Sequence, residues 1–161
     1  MNYLMSAATG FCGAMLLFTA ASLAPAQAQD EAVDWEDKPY IVEDGKVDYG
    51  TYNGFRRYHN TCHTCHGPDG MGSTFAPALV NSLKDMSYAD FAATVANGRS
   101  SSGASGNSVM PAFGDNVDVM LYIDHIYAYL KARADDAIGR GRPDRIDPEN
   151  DPVFQEWQAN Q

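Results

Sequence analysis

Positive charge is what this sequence has least of: 11 Lys and Arg stand against 21 Asp and Glu, for a net charge of −10. That balance argues against nucleic acid or an anionic membrane as a partner, because both need a basic surface. Residues 1–28 lack Asp, Glu, Lys and Arg altogether, so the whole negative charge belongs to residues 29–161. A long apolar run is also missing. The stretch Phe11 to Ala24 is too short to cross a bilayer comfortably. With Pro25 and Ala26-Gln27-Ala28 after it, it reads as the apolar region and A-x-A site of an export signal cut before Gln29. Its first residues lack the usual Lys or Arg, and an uncleaved anchor is the alternative. Cys12 follows Phe11 rather than a small residue, which argues against a lipid anchor. Cysteine is scarce. Beyond the signal only Cys62 and Cys65 remain, so the exported chain spends its thiols on one site. No internal repeat is visible.

What is there centres on Thr61-Cys62-His63-Thr64-Cys65-His66-Gly67. Two cysteines two residues apart, with a histidine directly after the second, form the c-type haem attachment pattern. In one tight turn both sulfurs can form thioethers to a porphyrin, and His66 can bind the iron from beneath. A zinc site would need adjacent Cys65 and His66 to reach one tetrahedral ion, with no second Cys/His pair to complete the shell. A redox dithiol would sit in a βαβ pattern that is not visible here. A disulfide stays open in an oxidising compartment.

Around this motif the chain reads as four segments. Residues 1–28 are the signal and 29–48 an acidic arm, with a turn at Asp44-Gly45 between short extended pieces. Residues 49–134 are an all-α domain, and 135–161 a polar tail. A first helix is expected over about 49–61, with Gly54 and Tyr58 eight and four residues before Cys62 on one face. Gly54 inside a helix costs about 1 kcal/mol relative to Ala and so implies close approach by another helix. After the turn-rich Gly67-Pro68-Asp69-Gly70-Met71-Gly72, the Pro77 carbonyl is the candidate acceptor for the second ring nitrogen of His66. Leu79 is expected to cover the same side of the ring. Ser87 caps a short helix ending near Asn97, with Gly98 as its stop. Gly98 to Ser108 reads by composition as a flexible Gly/Ser loop.

Four methionines follow the signal: Met71, Met86, Met110 and Met120. Met71 is too near His66 to reach the other face easily, Met86 lacks a stiff support, and Met120 suits a helix core. Met110, backed by Pro111, is the candidate sixth ligand, and Phe113 joins the expected haem contacts. A last helix is expected from Val117 to about Arg133, its apolar face able to cross the first helix at Gly54. Arg140, Arg142 and Arg145 read as solvated charges. The late apolar residues Val153, Phe154 and Trp157 are candidates to dock on the domain.

With these residues in hand, the chain resembles class I cytochromes c over about residues 49–134. The shared features are the Gly54/Tyr58 helix, Cys62-His63-Thr64-Cys65-His66, Pro77 and Leu79, Met110-Pro111, and Ile126 to Lys131. The resemblance implies the small all-α fold around one covalent haem c with His66 and Met110 as axial ligands. A narrower likeness runs through Lys38-Pro39-Tyr40, Asp44 to Asp48, Tyr52 to His59, Tyr122 to Arg133 and Gly139 to Pro143. These stretches are similar to acidic, cytochrome cL-like proteins of methylotrophy. That likeness implies a periplasmic one-electron carrier, not an enzyme. It would accept electrons from a PQQ-dependent methanol or alcohol dehydrogenase and pass them to a downstream cytochrome or oxidase. The alternatives are a general periplasmic shuttle to a terminal oxidase and, in another class, a haem enzyme or gas sensor with an open sixth position. A thiol or zinc module without haem is the third.

Overall fold

The computed structural model describes residues 38–103 and 106–161. The export-signal reading and the start of the acidic arm lie outside them. The first pieces are strands β1 (Val42–Glu43) and β2 (Lys46–Val47), an antiparallel pair turned through Asp44 and Gly45, both at positive φ. Asp48 then starts helix α1 (Tyr49–Thr61). Its buried carboxylate accepts from Thr51 N at 2.9 Å, from Thr51 Oγ1 at 2.7 Å and back from Ile41 N at 2.8 Å. One side chain thus fixes both the helix start and the angle at which the hairpin enters it.

A one-turn helix α2 (His63–His66), a 3-10 turn (Pro68–Gly70) and helix α3 (Leu79–Ser82) follow. Helix α4 (Tyr88–Asn97) is capped by Ser87 and stopped by Gly98, as its residue types imply. Strands β3 (Arg99–Gly103) and β4 (Gly106–Met110) come next, then helices α5 (Val117–Met120) and α6 (Ile123–Ala134). The chain ends in β5 (Asp144–Arg145) and α7 (Pro152–Ala159). Helices carry the fold, as expected of a small cytochrome c domain, and the strands are short additions.

The centre of the domain is the crossing of α1 and α6. A Cβ built at Gly54 would lie 1.7 Å from the His125 carbonyl oxygen and 3.0 Å from Tyr129 Cβ. Only glycine permits that approach, which explains its presence in a helix interior. Ile123, Ile126, Tyr127, Leu130 and Tyr129 are buried on α6, and Tyr58 is buried on α1. Phe91 and Val95 bring α4 onto this core, with the Phe91 and Tyr127 rings 5.3 Å apart.

Three segments differ from the sequence expectations. The Gly/Ser-rich stretch is a ribbon, paired from Arg99↔Met110 to Gly103↔Gly106. Backbone pairing needs no buried side chains, so a serine-rich ladder open to water leaves no apolar pattern to read. The last long helix is two. Asn116 caps α5 through Val119 N at 3.1 Å, and the chain bends at Tyr122, whose φ of −121° is not helical. The Arg57 guanidinium lies 3.7 Å over the Tyr122 ring at this bend.

The third difference is the segment read as a polar tail, which is built into the domain. β5 adds to β2 in parallel, giving a sheet ordered β1-β2-β5. Asp151 accepts from Phe154 N at 3.0 Å and from Tyr49 N at 2.7 Å, so one buried carboxylate caps α7 and ties it to the first residue of α1. Tyr49 packs against Phe154 and Trp157, with centroids 5.5 and 5.0 Å away. The arginines are not merely solvated. Arg145 lies over the rings of Tyr49, Tyr52 and Phe154, Arg142 bonds the Tyr52 hydroxyl, and Arg140 pairs with Asp69. Cation–π contacts of this kind carry no marker in sequence spacing.

Gly54→Ala is expected to cost about 1–3 kcal/mol or more in denaturant unfolding, because the intruding methyl meets backbone rather than a movable side chain. His125 offers a second test. Asn53 Nδ2 donates to its Nδ1 at 2.9 Å, and burial holds its pKa below the ordinary 6.5. The unfolded chain therefore takes up a proton near 6.5 that the folded chain refuses until lower pH. This contribution is complete above that range and is lost as pH falls below it. Denaturation midpoints measured between about pH 7.5 and 5.5 should fall, and His125→Gln should flatten the slope.

Candidate haem site

Cys62 caps α1 and Cys65 lies on α2, so the motif occupies one continued turn. Cys62 N bonds Tyr58 O at 2.8 Å, while Cys65 N and His66 N both bond Cys62 O, at 3.2 and 3.0 Å. The two cysteines are free thiols. Burial pushes the Cys62 thiol up to about 11, with the neighbouring Cys65 adding to the shift. Burial thus disfavours the thiolate that a redox dithiol would need. Among the described residues no group of three or more His, Cys, Asp or Glu side chains is arranged to hold a metal ion.

His66 is buried, and its Nδ1 lies 3.0 Å from the Pro77 carbonyl oxygen. A carbonyl can only accept, so Nδ1 carries the proton and Nε2 keeps its lone pair. That is the tautomer an iron ligand needs. The loop between them is folded tightly enough to set this distance. Gly72 N bonds His66 O at 2.7 Å, and a Cβ at Gly67 (φ +72) would lie 2.2 Å from Gly72 O. A Cβ at Gly72 (φ +82) would lie 2.7 Å from Ala78 N. The glycines of the turn-rich stretch thus bring Pro77 back over the histidine. Ser73 Oγ also bonds the Cys65 carbonyl and accepts from Phe75 N at 3.0 Å.

The Tyr58 hydroxyl pins the same loop from below. Fully buried, it donates to Gly67 O at 2.5 Å and accepts from Gly70 N at 3.1 Å. Sequence spacing placed Tyr58 on the right face but gave no hint of this polar task. Asp69 was missed altogether. It is buried at φ +60°, and its carboxylate accepts from Gly141 N at 3.0 Å and Arg140 Nε at 3.3 Å. Its carbonyl receives Arg133 Nε at 3.4 Å, and buried Arg133 also donates to Ile138 O at 2.5 Å. The loop that follows the motif is therefore anchored to α6 and to the C-terminal segment. The Pro-Asp-Gly signal marks a turn, but nothing local says that the aspartate's partners lie seventy residues on.

Leu79 opens α3, half-buried and packed on the core. Met110 ends β4, also half-buried against the core, and Phe113, three residues on, packs there too. Phe113 N bonds Val95 O at 3.0 Å and Gly114 N bonds Ala96 O at 2.9 Å, so this segment is held on the last turn of α4. Met86 and Met120 are partly buried core neighbours, and Met71 is exposed beside Arg133, its Sδ 3.8 Å from the guanidinium. The residues present fit a covalent haem c: two free thiols on one turn, an imidazole in the ligand tautomer, and a methionine on a braced segment.

Comparison with known proteins agrees with this chemistry. A family model described as cytochrome c oxidase, cbb3-type, subunit III matches residues 51–130. The chain is 50% identical over 111 residues to cytochrome c-553I of Paracoccus denitrificans, covering 69% of this chain and 49% of that protein. It thus spans about half the length of that relative. It is 42% identical over 96 residues to cytochrome c-555 of Methylococcus capsulatus, covering 59% of this chain and 72% of that protein. Among solved structures, the c-type cytochrome XoxG from Methylobacterium extorquens AM1 superposes with a TM-score of 0.62 at 48% identity. The match covers 75% of this chain and 74% of that one.

Tyr58→Phe removes one hydroxyl that serves two buried backbone groups. It should cost about 1–3 kcal/mol in denaturant unfolding while leaving the haem attached, as read by the haem spectrum.

Proposed function

Since the chain belongs to the c-type cytochromes, which carry electrons on a covalent haem c, we propose that it is a periplasmic shuttle accepting single electrons from a PQQ-dependent methanol or alcohol dehydrogenase. The observation that carries the carrier role is the His66 Nδ1 to Pro77 O bond, 3.0 Å. It commits the imidazole to iron rather than to proton transfer. Cys62 and Cys65 hold the ring, His66 is the proximal ligand and Met110 the distal one. Leu79 and Phe113 line the haem. The haem supplies the Fe(III)/Fe(II) couple. The chain's own part is to keep both axial positions occupied, so that small molecules stay off the iron, and to hold the ligands in place in both oxidation states. A thioether ligand raises the reduction potential relative to a second histidine. A frame cross-braced at Gly54, Tyr58 and Asp69 has little to rearrange when the charge changes.

Identity of 48% with XoxG over three-quarters of each chain, together with the likeness to cytochrome cL-like proteins, supports the dehydrogenase as donor. The net charge of −10 fits a partner with a basic docking patch, through a small transient interface. Among the described residues no helix is long and apolar enough to cross a membrane. A second reading, delivery from a general electron pool to a terminal oxidase, is favoured by the description of the matching family model.

Stopped-flow reduction of the ferric protein by a PQQ methanol dehydrogenase separates these readings. The expected rate is well above that of a generic acceptor dye. It should drop about tenfold as the Debye length shrinks from about 10 Å at 0.1 M salt towards 3 Å at 1 M. A slow reaction indifferent to salt would overturn the dehydrogenase as donor.

A further inference from the structure

Met110 ends a strand and has no helix of its own to hold it, so its position must come from what it rests on. The support is the C-terminal end of α4. Upstream, Met110 pairs with Arg99, the second residue after the helix end. Downstream, Phe113 N and Gly114 N take the carbonyls of Val95 and Ala96, two acceptors that a helix end leaves without internal partners. Between these two ties the backbone from Met110 to Ala112 lies directly on Gly98. A Cβ built there would be 2.6 Å from Met110 O, 2.7 Å from Ala112 N and 2.9 Å from Pro111 C. All three are backbone atoms, and the segment that carries them is fixed at both ends.

Gly98 also closes α4, its N–H bonding Thr94 O at 2.9 Å, with φ 71° and ψ −177°. That region of backbone space is open essentially to glycine alone. A glycine that serves only to end a helix has no need of a neighbour pressed against its Cα. Gly45, a hairpin-turn glycine at φ +79° with nothing within 4 Å of a built Cβ, shows a glycine used for its backbone conformation alone.

Building on the reading of Met110 as sixth ligand, we propose that Gly98 is the positioning residue for that ligand. Its missing side chain lets the Met110–Ala112 backbone seat flush on the end of α4, which sets how far the methionine reaches towards the iron. The strength of the thioether bond, and with it the closure of the iron, is therefore written at a residue that touches neither haem nor metal. The core face of α4, Phe91 and Val95, links this seat to Tyr127 and so to the helix crossing.

The test compares the haem-loaded native protein with Gly98→Ala, Gly114→Ala, Gly45→Ala and Met110→Ala. The readouts are the thioether-to-iron charge-transfer band of the ferric form and cyanide binding. Gly98→Ala should keep attached haem and helical circular dichroism, lose or weaken the band, and bind cyanide about tenfold or more tightly. Gly114→Ala has no positive φ to strain, and its Cβ would lie 3.0 Å from Ala96 O. It should shift both readouts the same way by less, and it carries the test if Gly98→Ala fails to accumulate. Gly45→Ala should leave both unchanged. A native band and native cyanide affinity in Gly98→Ala, or in Gly114→Ala where only that variant folds, would overturn the positioning role. A band that persists in Met110→Ala would instead overturn the ligand assignment on which the role rests.

Discussion

The His125 carbonyl sits where a side chain at position 54 would be, and that contact decides how close α1 and α6 can come. The candidate haem motif continues α1, and the aromatic face that packs on α1 belongs to α6. Their separation therefore sets where Cys62, Cys65 and His66 lie relative to the core. A larger residue at 54 would push the helices apart and move Cys62, Cys65 and His66 relative to Tyr127 and Leu130. The cost of glycine in a helix is repaid in packing: Tyr58, Tyr129 and Leu130 are completely buried around the crossing.

Around that crossing the chain uses buried carboxylates as connectors. Asp48, Asp69 and Asp151 each accept from backbone N–H groups; Asp48 joins the hairpin to the adjacent helix start, while Asp69 and Asp151 join pieces distant in sequence. Asp69 ties the proximal loop to the C-terminal segment, and Asp151 ties α7 to the start of α1. Asp48 and Asp151 are satisfied by backbone and hydroxyl donors, and Asp69 by a backbone N–H together with Arg140, so all three carboxylates can be buried. The acidic composition thus has two parts. Most carboxylates make the surface negative, while a few hold the hairpin before α1 and the C-terminal segment on the domain.

Local chemistry was legible in the sequence and long-range chemistry was not. The bounds of α1, the Ser87 cap, the Gly98 stop and the tight approach at Gly54 follow from residue types within a few positions of each other. So does the turn that presents Cys62, Cys65 and His66. The bond from His66 to Pro77 spans eleven residues, yet its acceptor could be named because a ligating imidazole needs one and the intervening loop is rich in glycine. By contrast, Arg145 over Tyr49 and Tyr52, Asp69 with Gly141, and the parallel pairing of β2 with β5 join residues about seventy to a hundred apart. No periodicity records them. The serine-rich ribbon hid for another reason, since Ser100, Ser101, Ser102 and Ser108 are all exposed and leave no apolar pattern. Gly98 illustrates both limits at once: its helix-ending role is local and readable, its contact with Met110 is not.

With His66 and Met110 closing the iron on both sides, as proposed, the protein would be a carrier rather than a catalyst. Proton NMR of the ferrous protein tests this most directly, because a methionine methyl bound over a porphyrin face is shifted far upfield by the ring current. One such methyl resonance is expected in the native protein, with its loss in Met110→Ala while the haem stays attached. A native spectrum without that resonance, or a Met110→Ala spectrum that keeps it, would contradict the claim.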